Sequence, residues 1–470
     1  MSSQPVTRSR IEAHSIDFVP LAERHGKVWH LWPVWFAGDA HLATLATGAL
    51  GIAMGLNLFW SLVAIVGGCA LGTFFMAFHA AQGPQLGLPQ MIQSRPQFGY
   101  RGALLVWVVA LITYVGYNAF NQVLAAQTVH ELAGLPPRPT MAVFTILAMG
   151  VALIGYDLIH RAQRTLAFAL IAILAVFTAG AAWLVPLPAG QFDPHRFVMI
   201  PFLLQFFAAA AYQLSWSIYV SDYSRYLPPE VGVRAAFWWT FGGAMLGGVW
   251  MMAVGAIAAA ALPQDGVIAA ARMVGDQIVP GFGMVLLVVA FAGLITATSL
   301  NFYGASLTLL SIADSFMTLR STIRERVVSL VIVTVFASAL SFSASKDFMH
   351  DYELLLSVLL YIFTPWTAIN LVDFYIVRKG HYSISAIFEP DGIYGRWNAR
   401  GLIAYLAGFL AMVPFFSTHV FTGPVARALG GADISMLIGL PVSAVAYLVL
   451  CRNVSATQQM EAPYHKQSVC

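Results

Sequence analysis

The sequence predicts an all-α integral membrane protein with twelve transmembrane helices, and three observations predict it. The first is composition. Of 470 residues, 59% are hydrophobic and 10% charged, with a mean hydropathy of +0.75, which leaves too little polar surface for a soluble body of that size. The second is the number of apolar stretches near the roughly 20 residues that a helical span needs. They run over residues 29–56, 58–82, 103–130, 140–159, 164–187, 198–219, 234–262, 279–312, 327–345, 353–377, 401–418 and 434–451. The third is charge. Of the 24 Lys and Arg, all but Arg138, Arg196, Arg272, Lys346 and Arg427 fall in the two termini or the even-numbered loops. By the positive-inside rule both termini are then cytoplasmic, and one miscounted span in the middle would destroy that asymmetry.

The elements follow in chain order. Residues 1–28 form a cytoplasmic tail with Arg8, Arg10, Arg24 and Lys27 and none of the apolar run that a signal peptide needs. Spans 1–5 occupy 29–187 and spans 6–10 occupy 198–377. A cytoplasmic loop over 378–400 has the turn-rich core Glu389-Pro390-Asp391-Gly392; spans 11 and 12 fill 401–451, and 452–470 is a cytoplasmic tail. The segment 83–101 holds three prolines, is too polar to span, and reads as a cytoplasmic loop with at most a short interfacial helix. The expected location is the plasma (inner) membrane, crossed many times. A net charge of +3, dispersed along the chain, excludes a nucleic-acid footprint. Cys69, Cys451 and Cys470 make neither a disulfide framework nor a thiolate metal site, and no cofactor is expected.

Polar residues inside spans are costly and mark pathways. In span 1, Asp39 and His41 lie beside Gly38 in an apolar stretch. A continuous helix would bury Asp39 in hydrocarbon at about 2.5–3.5 kcal/mol on the mildest scale, so a broken helix facing a hydrated cavity is expected. Asp39 is open to two functional readings, a contact to a substrate or cation and a proton carrier, beside a purely structural one. His41 is either a ligand contact or a satisfied core histidine. Span 3 carries Tyr114, Tyr117, Asn118, Asn121 and Gln122, with Tyr117 and Asn121 on one helical face. An aromatic face beside an amide both stacks on and hydrogen-bonds to a flat polar ring; interhelical bonding is the alternative. Span 6 offers Tyr212, Gln213, Ser215 and Trp216 at mid-depth, read as ligand-facing, with Asp222 and Arg225 as a structural anchor beyond them. Span 8 has Gly293, Thr296, Thr298, Ser299 and Asn301, whose hydroxyls suit an alkali cation and equally suit helix packing. Spans 1 and 6 each open a five-span block, and spans 3 and 8 are the third of each. Polar residues in corresponding positions of two halves point to an inverted-repeat transporter.

Particular strings add to this. Ser215-Trp216-Ser217-Ile218-Tyr219-Val220-Ser221-Asp222-Tyr223-Ser224-Arg225-Tyr226-Leu227-Pro228 resembles the signature after the sixth span in the purine–cytosine permease branch of the nucleobase:cation symporter-1 family. Thr364-Pro365-Trp366 through Asn370, Asp373, Tyr375 and Arg378, and Gly392-Ile393-Tyr394-Gly395-Arg396-Trp397-Asn398, resemble that family's span-10 exit and following loop. The resemblance extends from about Trp32 to Leu450. It implies a five-plus-five inverted repeat of the leucine-transporter type with two extra C-terminal helices. It also implies inward transport of a nucleobase or related heterocycle with Na⁺ or H⁺. Carried over by position, substrate contacts fall on Tyr117, Asn121, Gln213, Ser215 and Trp216, with Asp39 and Asn301 grouped beside them. The cation site would fall near Ala37, Gly38, His41, Thr298 and Ser299, with the span-8 register open by one or two residues. The chain departs from the family's pattern at Gly116-Tyr117-Asn118, at Asp39 where a neutral Asn is common, and at Thr298-Ser299-Leu300-Asn301. These departures leave the heterocycle's identity open.

Other classes fit less well. A channel needs a continuous polar stripe, and an intramembrane enzyme needs a motif such as His-Glu-x-x-His or Gly-x-Ser-x-Gly, which this sequence lacks. An amino-acid symporter on the same scaffold is the remaining alternative, opposed by Asp39, which would repel a carboxylate. The expected partners are a small heterocycle, a coupling cation and the lipid bilayer; the oligomeric state is not legible.

Overall fold

The computed structural model describes residues 16–154, 156–317, 322–343 and 348–453. Arg8, Arg10, Arg320, Lys346, Lys466, Cys470 and most of the 452–470 tail lie outside them, as does the side chain of Arg161. Apolar runs become long helices because lipid offers the backbone no hydrogen bonds. Among the described residues nine helices are long and apolar enough to cross a membrane, accompanied by shorter apolar helices at Leu42–Ala53, Ala399–Phe415 and Ser435–Cys451. The chain is a multi-pass membrane protein, and an isolated bridge between Ser417 and Thr422 is the one β pairing among the described residues.

In chain order the helices are α1 (Leu31–Asp39), α2 (Leu42–Ala53), α3 (Leu58–Ala80), α4 (Leu104–Ala133), α5 (Pro137–Ile154), α6 (Tyr156–Leu184), α7 (Met199–Ser215) and α8 (Val220–Ser224). They continue as α9 (Gly232–Ala261), α10 (Val267–Ile278), α11 (Phe282–Asp314), α12 (Ile323–Phe342), α13 (Phe348–Val372), α14 (Ala399–Met412) and α15 (Ser435–Cys451). Two packed groups result. One joins α1, α2, α3, α7 and α9; the other joins α4, α5, α11 and α12. Helix α13 touches α7 and α4, and α14 with α15 packs against α13.

Small residues set how closely the first group packs. A Cβ added at Gly243 or Gly247 of α9 would lie 2.4 Å from the backbone oxygen of Trp32 or Phe36, and one at Gly255 would lie 1.9 Å from Leu45 O. This four-residue spacing is the close-approach pattern of membrane helices, and it clamps α9 along α1 and α2.

Two features differ from expectation. The segment 83–101 is not an open loop but a buried plug containing helical turns at Gln82–Leu86, Ile92–Ser94 and Arg95–Phe98. Its polar groups find internal partners: Gln90 N donates to Asp222 Oδ1 (2.7 Å), Gln97 Nε2 to Asp373 Oδ2 (2.7 Å), and Arg95 pairs with Asp314 (3.2 Å). The second is α10, an amphipathic helix packed on α11 in a stretch assigned to no span.

Candidate functional site

The span-1 stretch is broken, as Asp39 beside Gly38 suggests. Helix α1 ends at Asp39; Ala40 leaves the helical region and His41 is extended (φ −143°, ψ 178°). The His41 N–H, which a continuing helix would offer to Ala37 O, turns to Asp39 O instead (3.0 Å). This frees a carbonyl at the break. His41 then caps α2, its Nδ1 accepting from Ala43 N (3.3 Å). Because Nδ1 accepts from a backbone N–H, the neutral ring carries its proton on Nε2. Nε2–H therefore donates to Tyr212 Oη (3.0 Å), which shares a further hydrogen bond with Thr44 Oγ1 (2.6 Å). Helix α7 breaks likewise: it ends at Ser215, a tight turn covers Trp216–Ile218, and α8 starts after Tyr219 (φ −145°, ψ 10°).

Between the two breaks lies a cavity lined by His41, Thr113, Tyr117, Asn121, Tyr212, Ser215, Trp216, Tyr219 and Asn301. Its free space of about 10 Å³ is room for a single water, because its rings rest on one another. Trp216 meets His41, Tyr212 and Tyr219 edge to face, with centroids 6.3, 6.2 and 5.6 Å apart, a favourable arrangement of ring quadrupoles. Ser215 Oγ bridges Tyr212 O (2.7 Å) and Tyr117 Oη (3.1 Å), and Tyr219 donates to Asn301 Oδ1 (2.8 Å). Asn121 Nδ2 donates to Thr298 Oγ1 (3.0 Å), leaving its buried Oδ1 without a partner. Tyr352 of α13 stands behind Tyr117 of that lining (ring centroids 6.5 Å apart), bonding to Thr47 (2.7 Å) and stacking on Phe120 at 3.7 Å.

The structure thus brings Tyr117, Asn121, Ser215, Trp216 and Asn301 to one cavity, together with His41, which was placed with the cation. Asp39 and Gln213 sit behind its wall. Asp39 is fully buried, and among the described residues neither of its carboxylate oxygens has a hydrogen-bond partner. The Trp216 indole and the Gln213 amide approach it, neither Trp216 Nε1 nor Gln213 Oε1 having a partner of its own. Thr113, Tyr219 and Tyr352 were missed. The first two were within reach: Thr113, Tyr117 and Asn121 continue one four-residue stripe, and Tyr212, Ser215, Trp216 and Tyr219 follow the i, i+3, i+4, i+7 pattern of one helix face.

The span-8 hydroxyls have other partners in this structure. Helix α11 passes the α1–α2 break at Gly293, where an added Cβ would lie 3.2 Å from Ala40 O. At about 100° per residue, Thr298 and Ser299 point well away from that face. Thr298 faces Asn121, and Ser299 donates to Ala148 O of α5 (2.9 Å) and Ile295 O (2.7 Å). The hydroxyl one turn beyond Gly293, nearer to that face of the helix, is Thr296, bonded to Gly293 O (2.8 Å). Ala37 and Gly38 remain at the break, in the last turn of α1. No group of three or more His, Cys, Asp or Glu side chains that could hold a metal ion occurs among the described residues.

Comparison with known proteins gives a consistent picture. The family described as permeases for cytosine/purines, uracil, thiamine and allantoin matches residues 18–439. YxlA of Bacillus subtilis strain 168, named as a candidate purine-cytosine permease, is 37% identical over 443 residues, covering 94% of this chain and 96% of that one. The purine-cytosine permease fcyB of Emericella nidulans is 24% identical over 94% of this chain and 88% of its own. Among solved structures, Mhp1, a nucleobase-cation-symport-1 family transporter in a closed conformation with bromovinylhydantoin bound, aligns with a TM-score of 0.74 at 16% identity over 96% of this chain and 97% of that one. A Na⁺-coupled sialic acid symporter aligns with a TM-score of 0.66 at 10% identity over 95% and 92%. These two likenesses are of fold.

Proposed function

Since this chain belongs to the family of permeases for cytosine/purines, uracil, thiamine and allantoin, we propose that it imports a purine- or cytosine-like planar heterocycle by alternating access, coupled to a monovalent cation. The observation that carries this reading is the central cavity, where aromatic rings (Tyr117, Trp216, Tyr219) and amides (Asn121, Asn301) converge on the breaks in two helices. Rings supply stacking area and the amides read donors and acceptors on a ring edge. Substrate enters as Trp216 and the tyrosines part, taking over contacts that the rings now make with one another.

The architecture that goes with this function is a twelve-span protein with inverted repeats at 29–187 and 198–377 and spans 11 and 12 appended. The interruptions at Ala40–His41 and Trp216–Tyr219, near the start of each half, support it. In this reading the protein sits in the plasma membrane with both termini cytoplasmic, an orientation that the Lys and Arg distribution supports.

Coupling runs through Asp39. A carboxylate buried without a cation beside it is costly in either phase of the cycle unless it takes up a proton, and its approach to Trp216 and Gln213 links its charge to the cavity wall. A second reading is Na⁺ held by the Ala37 carbonyl and Thr296, which the passage of Gly293 beside Ala40 favours. The deciding experiment is a thermal-shift screen of the purified protein against purines, pyrimidines, allantoin and hydantoins, with and without Na⁺ and at several pH values. A ligand that binds only the folded state raises the melting temperature. No stabilisation by any planar heterocycle would sink the substrate assignment, and a Na⁺-dependent shift lost in Thr296→Ala would replace the proton by Na⁺.

A further inference from the structure

A second cavity, with about 300 Å³ of free space, opens at the end of the bundle where α2 finishes and α7 and α13 begin. This is the external face in the orientation proposed above. The volume lies at the lower edge of the range for small-molecule sites. One wall is apolar, with Leu204 and Phe207 of α7; the other is polar, with His350, Glu353 and Ser357 of α13 at i, i+3 and i+7, hence on one helical face. The hairpin between α14 and α15 roofs the space, its His419 ring 3.8 Å from that of His350.

The acidic groups here are not equivalent. Asp433 is consumed by the roof, accepting from Ser417 N (2.9 Å), Ser435 N (2.9 Å) and Tyr361 Oη. Glu353 faces the imidazoles of His350 and His419 and has no hydrogen-bond partner among the described residues, so its oxygens remain able to accept. The opposite face of the same helix carries Tyr352, which packs on Tyr117 of the central lining and is held there by Thr47 and Phe120. One helix therefore stands between two cavities, presenting a carboxylate to the outer and the Tyr352 ring to the inner cavity's Tyr117.

We propose that the outer cavity is an entry site that holds the transported heterocycle before it passes Tyr352, its ring against Leu204 and Phe207 and its N–H edge on Glu353 and Ser357. The chemistry favours a planar ring with adjacent N–H donors, which a carboxylate accepts in pairs. This rests on the transport reading given above. The test is saturation binding of radiolabelled guanine, adenine and cytosine to the full chain in lipid nanodiscs, with uptake kinetics in proteoliposomes. The parent should bind one of these bases in two components. Glu353→Gln, and independently Ser357→Leu, which fills the cavity, should remove the weaker component and leave the tighter one in place. Asn121→Ala should do the reverse. Loss of a hydrogen bond to a charged group should raise KM for uptake about tenfold in Glu353→Gln. A single component in the parent, or parental stoichiometry and KM in both outer variants, overturns the entry site while leaving the central one standing. Absence of all binding to the parent removes both readings together.

Discussion

At the scale of single residues, the cavity assigns distinct tasks to neighbouring side chains. Trp216 meets four other rings edge to face, those of Trp35, His41, Tyr212 and Tyr219, and Asn121 ends in a buried oxygen without a donor among the described residues. Trp216→Ala removes the stacking surface, and Asn121→Ala removes the amide that reads the ring edge. Each should weaken heterocycle binding by at least about 1 kcal/mol, measured by equilibrium binding in detergent. Parental affinity in both would refute the assignment. Asp39 calls for a different assay, because it stands behind the wall rather than in it. Asp39→Asn keeps the shape and mimics the protonated acid. It should leave substrate exchange across the membrane intact, with binding changed by less than about threefold, and abolish accumulation driven by a pH gradient. Counterflow and gradient-driven uptake in the same vesicles separate the two. A large loss of binding would instead make Asp39 a direct contact to substrate or cation.

At the scale of elements, the breaks and the glycine seam belong together. A break leaves backbone groups without helical partners, and His41 satisfies one of them by capping α2 while its Nε2–H donates a hydrogen bond to Tyr212 Oη. The seam along α9 holds the two pieces of span 1 in place through backbone-distance contacts at Gly247 and Gly255. Gly247→Ala would place a methyl group 2.4 Å from Phe36 O, so α1 and α9 must separate. Overpacking of this kind costs about 1–3 kcal/mol. A lowered unfolding midpoint is expected, while Gly150→Ala, whose added Cβ meets nothing within 4 Å, should leave the midpoint unchanged or raise it. Equal midpoints in the two variants would mean that the seam does not constrain the packing.

At the scale of the whole molecule, the assignment of sides is open to direct measurement. Ser385 in the 378–400 loop and Ala189 in the connection between α6 and α7 are both exposed, and the orientation puts them on opposite faces. With the native cysteines replaced, Ser385→Cys should react with a membrane-impermeant maleimide only in inside-out vesicles and Ala189→Cys only in right-side-out ones. Reaction of both in the same vesicles would break the twelve-span topology. The buried plug at 83–101 belongs to this scale as well, since it ties α3 and α4 to α8 through Asp222 and to the end of α13 through Asp373.

The sequence by itself determined the membrane class, the approximate spans, the break beside Asp39 and most of the cavity residues. Those properties depend on local rules: hydropathy over a span, the cost of a carboxylate in hydrocarbon, and the spacing that puts residues on one face of a helix. Only the tertiary structure decided that Gln213 and Asp39 stand behind the cavity, that Ser299 is spent on Ala148 O, and that Thr298 meets Asn121. It alone brought Tyr352 against Tyr117, from more than two hundred residues further along the chain. A polar residue's spacing says which face of its own helix it shares, whereas the neighbour that face meets is set by how glycine seams and buried hydrogen bonds pack one helix against another.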